Sequence, residues 1–507
     1  MRLENSKLDH LEQAVLVDLL KCAALEIDYK LVALKNIKIN KVCADSRKTQ
    51  PGDFFIAIPC PQVLYNTKEA IQKGACVVLA TADVIASFAD QVVFIEYPNP
   101  RLALSLLAKA FFKIQPDVLM AVTGTNGKSS VVSIVRQLWE LLGYPAASFG
   151  TVGLETKNHI SNLPSIPALT TYDSLSFFSL LKNLSEANIN HVIFEASSHG
   201  IDQFRIHGSQ ITVAGFTNLT QDHLDYHKTM ENYFQAKTKL FTEIMSPGKI
   251  GVLNASSPYF ERLKSLASQR NTQIITYAIN APADLRATKV KVKATNIAFD
   301  LEYNGNTYHD IVLNLSGTFQ VENTLCAIGM LIASGTTITE IIAIIPKLKP
   351  IMGRMELIGE TSNGGHVYVD YAHSPDALDR ALKSLRHHTK NNIWVVFGCG
   401  GDRDIIKRPL MGKIASSLAD TVIVTDDNPR SENPASIRQQ ILSECTSKAH
   451  EIADRRQAIA YAIAHLEKGD TLLIAGKGHE TGQIVGNKTH SFSDKQEAEE
   501  LLTRLKL

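Results

Sequence analysis

The sequence predicts an α/β protein of three domains, each a sheet covered by helices, and three observations carry that expectation. The first is length: 507 residues suffice for about three domains, each able to bury its own core. The second is the stretch Val118-Leu-Met-Ala-Val-Thr-Gly-Thr-Asn-Gly-Lys-Ser-Ser130, where an apolar run meets a Gly-rich turn. Val131, Ile134, Val135, Leu138 and Leu142 then recur at helical spacing, so the order is strand, loop, helix. The third is a theme repeated after Gly353, short apolar strands that each run straight into polar or Gly-rich residues. The expected divisions are 1–98, 99–351 and 352–507.

Composition excludes several function classes. Lys plus Arg number 52 and Asp plus Glu 51, so the formal charge is +1 and no global field recruits nucleic acid or an anionic membrane. Any phosphate binding must be local. The seven cysteines are scattered, with no Cys-x-x-Cys pair, and read as reduced thiols. Met-Arg-Leu-Glu-Asn lacks the apolar character of a secretory signal, and no run is long enough to span a membrane. A cytoplasmic monomer acting on small molecules, with no nucleic-acid or membrane partner, is expected.

Up to about Pro98, Leu11 to Leu25 reads as helix, and Asp53–Ile58, Cys76–Ala80 and Val92–Ile95 read as strands. In the turn after Thr123, Gly124 and Gly127 let backbone N–H groups face an anion, and the helix N-terminus adds partial positive charge. Lys128 adds a full charge, and the Ser129 hydroxyl can reach a magnesium ion. The natural ligand is a nucleoside triphosphate. The general P-loop pattern places glycine where this chain has Val122, and a bare Gly-Lys-Ser after a strand is also compatible with a turn that merely exposes its lysine.

His191-Val-Ile-Phe-Glu195 reads as a buried strand ending in a carboxylate, which either binds a metal or lies at an exposed strand end. His223 and His227 have the spacing of a zinc pair. No Glu follows His223 and no third soft ligand is evident, so the hard carboxylates nearby suit magnesium better. His223 is the expected ligand and His227 a structural residue. Glu231 to Phe241 is amphipathic, and a lysine on such a helix is ordinarily solvated. Positions 249 to 349 read as sheet edge and connecting helices.

In the third region, Val367-Tyr-Val-Asp370, Trp394 to Asp404, Val422 to Arg430 and Leu472 to Glu480 give the layout of an open parallel sheet. Ligands of such sheets gather at the carboxyl ends of the strands. Arg403 and Arg430 can grip carboxylates with paired hydrogen bonds, while Asp427 and Glu480 can receive an ammonium group. An amino acid carrying a second amino-acid group at its far end satisfies all four.

Thr123-Gly-Thr-Asn-Gly-Lys-Ser129 resembles the ATP loop of the Mur ligase family and its relatives, the folylpolyglutamate synthetases. The resemblance implies a P-loop ATPase-like central domain, a Rossmann-like C-terminal domain, and amide-bond formation through an acyl phosphate. It assigns ATP to Gly124, Thr125, Asn126, Gly127, Lys128, Ser129 and Ser130, with adenine met near Asn323 and Gln320, where the family usually has asparagine. Arg354 and Asp370 resemble the pair that reaches the nucleotide from the third domain. Tyr233-Phe-Gln-Ala-Lys237-Thr-Lys-Leu-Phe241 resembles the string whose lysine carbon dioxide converts to a carbamate, here N6-carboxylysine at Lys237. The implied magnesium ligands are Ser129, Glu195, His223 and carbamylated Lys237, with Lys128, Glu195, His223 and Lys237 as the catalytic group.

For the UDP-linked substrate the resemblance implies Ser46, in Asp45-Ser46-Arg47, together with Thr170, Thr171, Ser197, Gln203 and Arg205. The chain departs from the family after Pro59, where Cys60-Pro-Gln-Val-Leu-Tyr-Asn66 replaces a Gly-rich turn. Asp427-Asn428-Pro429-Arg430 resembles the signature for meso-diaminopimelate as against L-lysine, and Arg403, Gly476 and Glu480 match its other positions. Lysine would leave Arg430 unpaired, a loss that costs orders of magnitude in discrimination. The implied reaction adds meso-diaminopimelate to the D-glutamate of UDP-N-acetylmuramoyl-L-alanyl-D-glutamate, in peptidoglycan precursor synthesis. The alternatives are an L-lysine-adding member of the family or a folylpolyglutamate synthetase-like ligase.

Overall fold

The structure, a computed structural model, describes residues 14–25, 27, 37–88, 91–160, 169–445 and 449–504. Packing divides these into two compact units, the first drawn from 1–120, 145–212 and 239–246, the second from 121–144, 213–238 and 247–507.

In the first unit, Val42–Cys43, Phe54–Ile56, Val77–Ala80 and Val93–Glu96 form a parallel sheet in sequence order. Its strands are apolar throughout because both faces are covered. Phe54, Ile56, Val77 and Leu79 pack with Leu16, Leu20 and Leu107 on one side. Phe55, Val78 and Ala80 pack with Ala70, Val84 and Phe88 on the other. This is the period-two alternation of a strand made visible. The helix expected over Leu11–Leu25 is shorter: Ala14–Val15 pairs with Lys38–Ile39, the helix runs Leu16–Cys22, and positions 11–13 lie outside the described residues. Pro100–Phe112 is capped by Asn99, whose side chain accepts from the Leu102 N–H, with Pro100 opening the helix. It packs on Ser174–Glu186. His191–Glu195 runs parallel to Ala146–Gly150, which turns back into Gly153–Thr156.

In the second unit, Val213–Phe216, Ile250–Asn254, Gln273–Ile279 and Leu285–Val292 are successive parallel neighbours. Ile297–Tyr303 and Asn306–Leu313 extend them as an antiparallel edge. The helix Lys128–Leu141 packs against Phe319–Ala333, which is apolar on nearly every side because it is buried on nearly every side. Met230–Lys239 carries Lys237 on its buried face.

The last sheet has the spatial order Glu356–Glu360, His366–Asp370, Thr471–Ala475, Ile393–Phe397, Thr421–Val424, Ala449–Glu451. Only the first strand is antiparallel. Val395, Phe397, Val424 and Leu473 face one core, and Val396, Ile423, Leu472 and Ile474 the other. The loops after Asp370, Phe397, Val424 and Ala475 therefore leave the same edge.

Candidate active site

The strand Val118–Thr123 ends at Gly124, whose φ of +150° and tight surroundings leave no room for a side chain: an added Cβ would lie 1.9 Å from Thr217 Oγ1. At Gly127, with φ +87°, an added Cβ would lie 2.4 Å from Asn323 Oδ1. Both glycines are required by close approach as well as by backbone conformation.

What shapes the loop is the segment after Val213–Phe216. Thr217 Oγ1 donates to the Asn126 carbonyl at 2.6 Å, and the Asn126 N–H donates to Asn218 Oδ1 at 2.9 Å. The Thr125 N–H reaches the Asn218 carbonyl at 2.9 Å, while Thr125 Oγ1 accepts from the Thr220 N–H at 3.0 Å. Sequence reasoning gave Thr217 and Asn218 no role, although they end a strand as the other functional loops do.

Lys128 Nζ folds back onto the Gly124 and Thr125 carbonyls at 3.0 and 2.8 Å. Lys237, 2 % exposed, donates from Nζ to the same Gly124 carbonyl at 2.8 Å and lies 4.5 Å from the centre of the Tyr233 ring. Burial, and then the Lys128 cation, hold its amine well below the ordinary lysine range against the opposing pull of Asp222. Burial raises the Asp222 carboxyl, yet His223, His373 and Lys407 outweigh it and leave it below its usual value. His223 Nε2 stands 3.6 Å from Asp222 Oδ2. His227 is buried with its ring 5.1 Å from that of Tyr233, the packing of a structural residue.

The third region reaches this loop directly. Arg354 Nη2 donates to Ser129 Oγ at 2.6 Å and its guanidinium lies over the Tyr371 ring. Asn126 Nδ2 donates to Asp376 Oδ2 at 2.9 Å, and Arg380 ties Asp376 to Glu322. Asp376, Arg380 and Glu322 carried no sequence signal beyond ordinary helix charges. Asp370 accepts from the Met355 and Ala372 N–H groups at 2.6 and 2.7 Å, and burial pushes its carboxyl up to about 6. It fixes the turn that carries Arg354.

Asn126, Gly127, Ser130, Asn323, Arg354 and Asp370 line one cavity. Gln320, expected to meet adenine, is instead fully buried and absent from that lining; its Oε1 accepts from Asn323 Nδ2 at 2.9 Å. The longer amide orients Asn323 from beneath.

At the carboxyl edge of the last sheet, Arg403 and Arg430 flank Gly400, where an added Cβ would lie 2.6 Å from Arg430 Nη1 and 3.8 Å from Arg403 Cγ. Arg430 has φ +51°, and its backbone is held by the hairpin Gly482–Ser491: its N–H donates to the Ile484 carbonyl at 3.0 Å and its carbonyl accepts from Gly486 at 2.7 Å. Nη1 donates to the Gly401 carbonyl at 2.8 Å. Burial, then the Arg403 cation, push this guanidinium below its ordinary value, while Asp427, Glu480 and Asp402 pull the other way. A half-buried Arg430 cation with the exposed Arg403 cation beside it calls for an anion.

Asn428 Nδ2 donates to Glu480 Oε2 at 2.9 Å. Pro429 packs its carbonyl against Gly401, where a Cβ would come within 1.9 Å, and Gly476 lies under Asp427 at φ +115°. The residues Arg403, Asp427, Asn428, Pro429, Arg430, Gly476 and Glu480 are thus neighbours.

In the first unit, Thr171 Oγ1 links the Glu195 carbonyl at 2.7 Å to the Ser197 N–H at 2.8 Å. Arg205 donates to the Thr171 carbonyl at 2.6 Å and to Gln203 Oε1 at 2.7 Å. Glu195, 1 % exposed, accepts from the Thr151 N–H and hydroxyl at 2.9 and 3.1 Å, and Thr151 Oγ1 also meets Thr170 Oγ1 at 3.1 Å. Its carboxylate is thereby held in place at the end of a buried strand.

A cavity of about 400 Å³ is lined by Asp45, Lys48, Arg101, Gln203 and Arg205 among others. Ser46 is buried, and its Oγ donates to Glu69 Oε2 at 2.6 Å, so the neighbouring Asp45 and Lys48 face the cavity in its place. Lys48 and Arg101 were not picked out in the sequence, because isolated surface cations look alike there. Among the described residues no helix is long and apolar enough to cross a membrane.

Residues 122–331 match the Mur ligase middle domain, and residues 353–478 match the Mur ligase glutamate ligase domain. The chain is 42% identical over 471 residues to UDP-N-acetylmuramoyl-L-alanyl-D-glutamate--2,6-diaminopimelate ligase of Agrobacterium fabrum, covering 92% of this chain and 94% of that protein. With the protein of the same name from Zymomonas mobilis it shares 43% identity over 456 residues, 89% of this chain and 91% of the relative. A solved structure bearing that name superimposes with TM-score 0.68 at 30% identity, over 97% of this chain and 99% of the other. The MurF ligase of Thermotoga maritima in complex with ADP shares the fold at TM-score 0.59 and 15% identity, over 92% and 98% of the two chains.

Proposed function

We infer the activity from one premise: this chain belongs to the Mur ligase family. It is an ATP-dependent carbon–nitrogen ligase that joins meso-diaminopimelate to the D-glutamate of UDP-N-acetylmuramoyl-L-alanyl-D-glutamate, in peptidoglycan precursor synthesis. The observation that carries the choice of amino acid is the pair Arg403 and Arg430 around Gly400, beside the carboxylates Asp427 and Glu480. That set complements a far-end zwitterion, and L-lysine offers no carboxylate to it.

A carboxylate does not accept an amine at neutral pH. In the proposed chemistry the D-glutamate side-chain carboxylate attacks the γ-phosphorus of ATP and ADP leaves. The diaminopimelate amine then attacks the acyl carbon, phosphate departs and the nitrogen loses a proton. The N–H groups at the N-terminus of the Lys128–Leu141 helix and the Lys128 ammonium orient and neutralise the phosphates. Carbon dioxide adds to the neutral Lys237 amine, forming an N–C bond and releasing a proton, which turns a potential cation into an anion beside the triphosphate. Hard magnesium ions, for which Ser129, Glu195, His223 and carbamylated Lys237 are the proposed ligands, would supply charge neutralisation on the transferring phosphoryl group. Arg354, held by the Asp370 turn, reaches the phosphate loop from the third region.

Gln203 and Arg205, which line the cavity, are assigned to the UDP-substrate site together with Thr170, Thr171 and Ser197 behind them. Lys48 and Arg101 are added as cations for its phosphates, and Ser46, turned to Glu69, supports the wall that Asp45 and Lys48 present. The domains are assigned to 1–98, 99–351 and 352–507, and the protein works as a cytoplasmic monomer. The deciding experiment incubates it with ATP, the UDP-dipeptide and either meso-diaminopimelate or L-lysine, and reads product mass. A diaminopimelate-containing product supports the assignment; a lysine product alone replaces it with the second family activity.

A further inference from the structure

Lys477 is an unusual residue to find where it is. Its side chain has no exposed surface, yet it ends in an ammonium that donates to Asn428 Oδ1 at 3.0 Å and to Glu480 Oε2 at 2.9 Å. Burying a cation is costly, and replacing a whole buried ion pair by apolar side chains of similar volume is often neutral or stabilising. The three side chains close a triangle, because Asn428 Nδ2 donates to the same Glu480 oxygen at 2.9 Å. The Asn428 amide cannot be reversed: its Oδ1 also accepts from the Ile484 N–H at 2.9 Å, so oxygen faces the lysine and nitrogen faces the glutamate.

Glu480 Oε2 therefore receives two donors from below while 32 % of the side chain remains exposed. Glu480 also acts electrostatically on Arg430. A carboxylate on a flexible stem, free to swing toward that arginine, would neutralise the group meant for the substrate's carboxylate and withdraw the one meant for its ammonium. The buried lysine prevents that collapse by holding the carboxylate from the far side.

We propose that Lys477 is a positioning residue for substrate selection: with Asn428 it holds Glu480 poised for the far ammonium of the incoming amino acid, apart from Arg430. The proposal rests on the diaminopimelate reading above. Lys477 itself touches no reacting atom.

The test uses the full-length enzyme with ATP and the UDP-dipeptide, comparing kcat/KM for meso-diaminopimelate with that for 2-aminopimelate. The analogue keeps both carboxylates and the reacting amine but lacks the far ammonium. The wild type is expected to favour diaminopimelate strongly. In Lys477→Met the ratio falls about tenfold or more, the scale of a lost charge-assisted hydrogen bond, while KM for ATP stays at the wild-type value. Lys477→Gln, which keeps a donor in the slot but no charge, is measured in parallel in case the methionine variant does not fold, and the same fall is expected. A merely structural lysine would lower both activities together, so a folded variant of either kind that retains the wild-type ratio overturns the proposal. A wild type that fails to use diaminopimelate overturns the activity assignment itself, and that result is read without any variant.

Discussion

Lys128 and Lys237 donate to one and the same carbonyl oxygen, that of Gly124, at 3.0 and 2.8 Å. Two lysines on one oxygen repel if both are charged. Burial, and the Lys128 cation after it, shift Lys237 toward the neutral amine, the form that adds carbon dioxide.

Lys237→Ala is accordingly expected to lose nearly all turnover, with partial recovery when acetate or formate supplies the missing anion. Wild-type enzyme freed of bicarbonate should lose activity and regain it on readdition. Full activity in the alanine variant would remove the carbamate from the account.

Thr217→Val tests the clamp on the phosphate loop. The substitution keeps the shape but deletes the donor to the Asn126 carbonyl. A buried hydrogen bond of this kind contributes about 1 kcal/mol, and the unsatisfied carbonyl adds to the loss, so ATP affinity should weaken about tenfold. Calorimetric titration with a non-hydrolysable ATP analogue measures it, and unaltered affinity would mean the loop holds its shape by other contacts.

Arg430→Ala should damage the choice of amino acid more than the binding of nucleotide. Competition between diaminopimelate and L-lysine, read by product mass, is expected to shift toward lysine while KM for ATP is unchanged. An unaltered preference would place diaminopimelate elsewhere.

His207 sets a pH dependence of stability. Its ring is buried 4.7 Å from that of Phe204, neither ring nitrogen has a hydrogen-bond partner among the described residues, and burial, with the Lys239 cation, lowers its pKa to about 4. Between the ordinary value of 6.5 and about 4 the unfolded chain binds a proton that the folded chain refuses. Stability from this group is therefore complete above the higher value and is lost as pH falls through the lower, by about 3 kcal/mol in all. Denaturant unfolding from pH 7 to pH 4 should show a flatter loss in His207→Leu than in wild type; parallel curves would exclude the group as a source of acid sensitivity.

The sequence alone determined what depends on neighbours along the chain: the strand, Gly-rich turn and helix around Lys128, the four strands running into polar loops, and the residue strings that resemble the family. Those signals are local, since periodicity and turn chemistry act over a few positions. Only the tertiary structure decided which loops share an edge. The strand Thr471–Ala475 enters between His366–Asp370 and Ile393–Phe397, against sequence order, and that insertion brings Lys477 and Glu480 to Asn428. It likewise took the fold to show Thr217 beneath the phosphate loop, Gln320 buried behind Asn323, and Ser46 turned to Glu69. A side chain's role is set by what surrounds it in space, and residues far apart in sequence carry no local mark of having become neighbours.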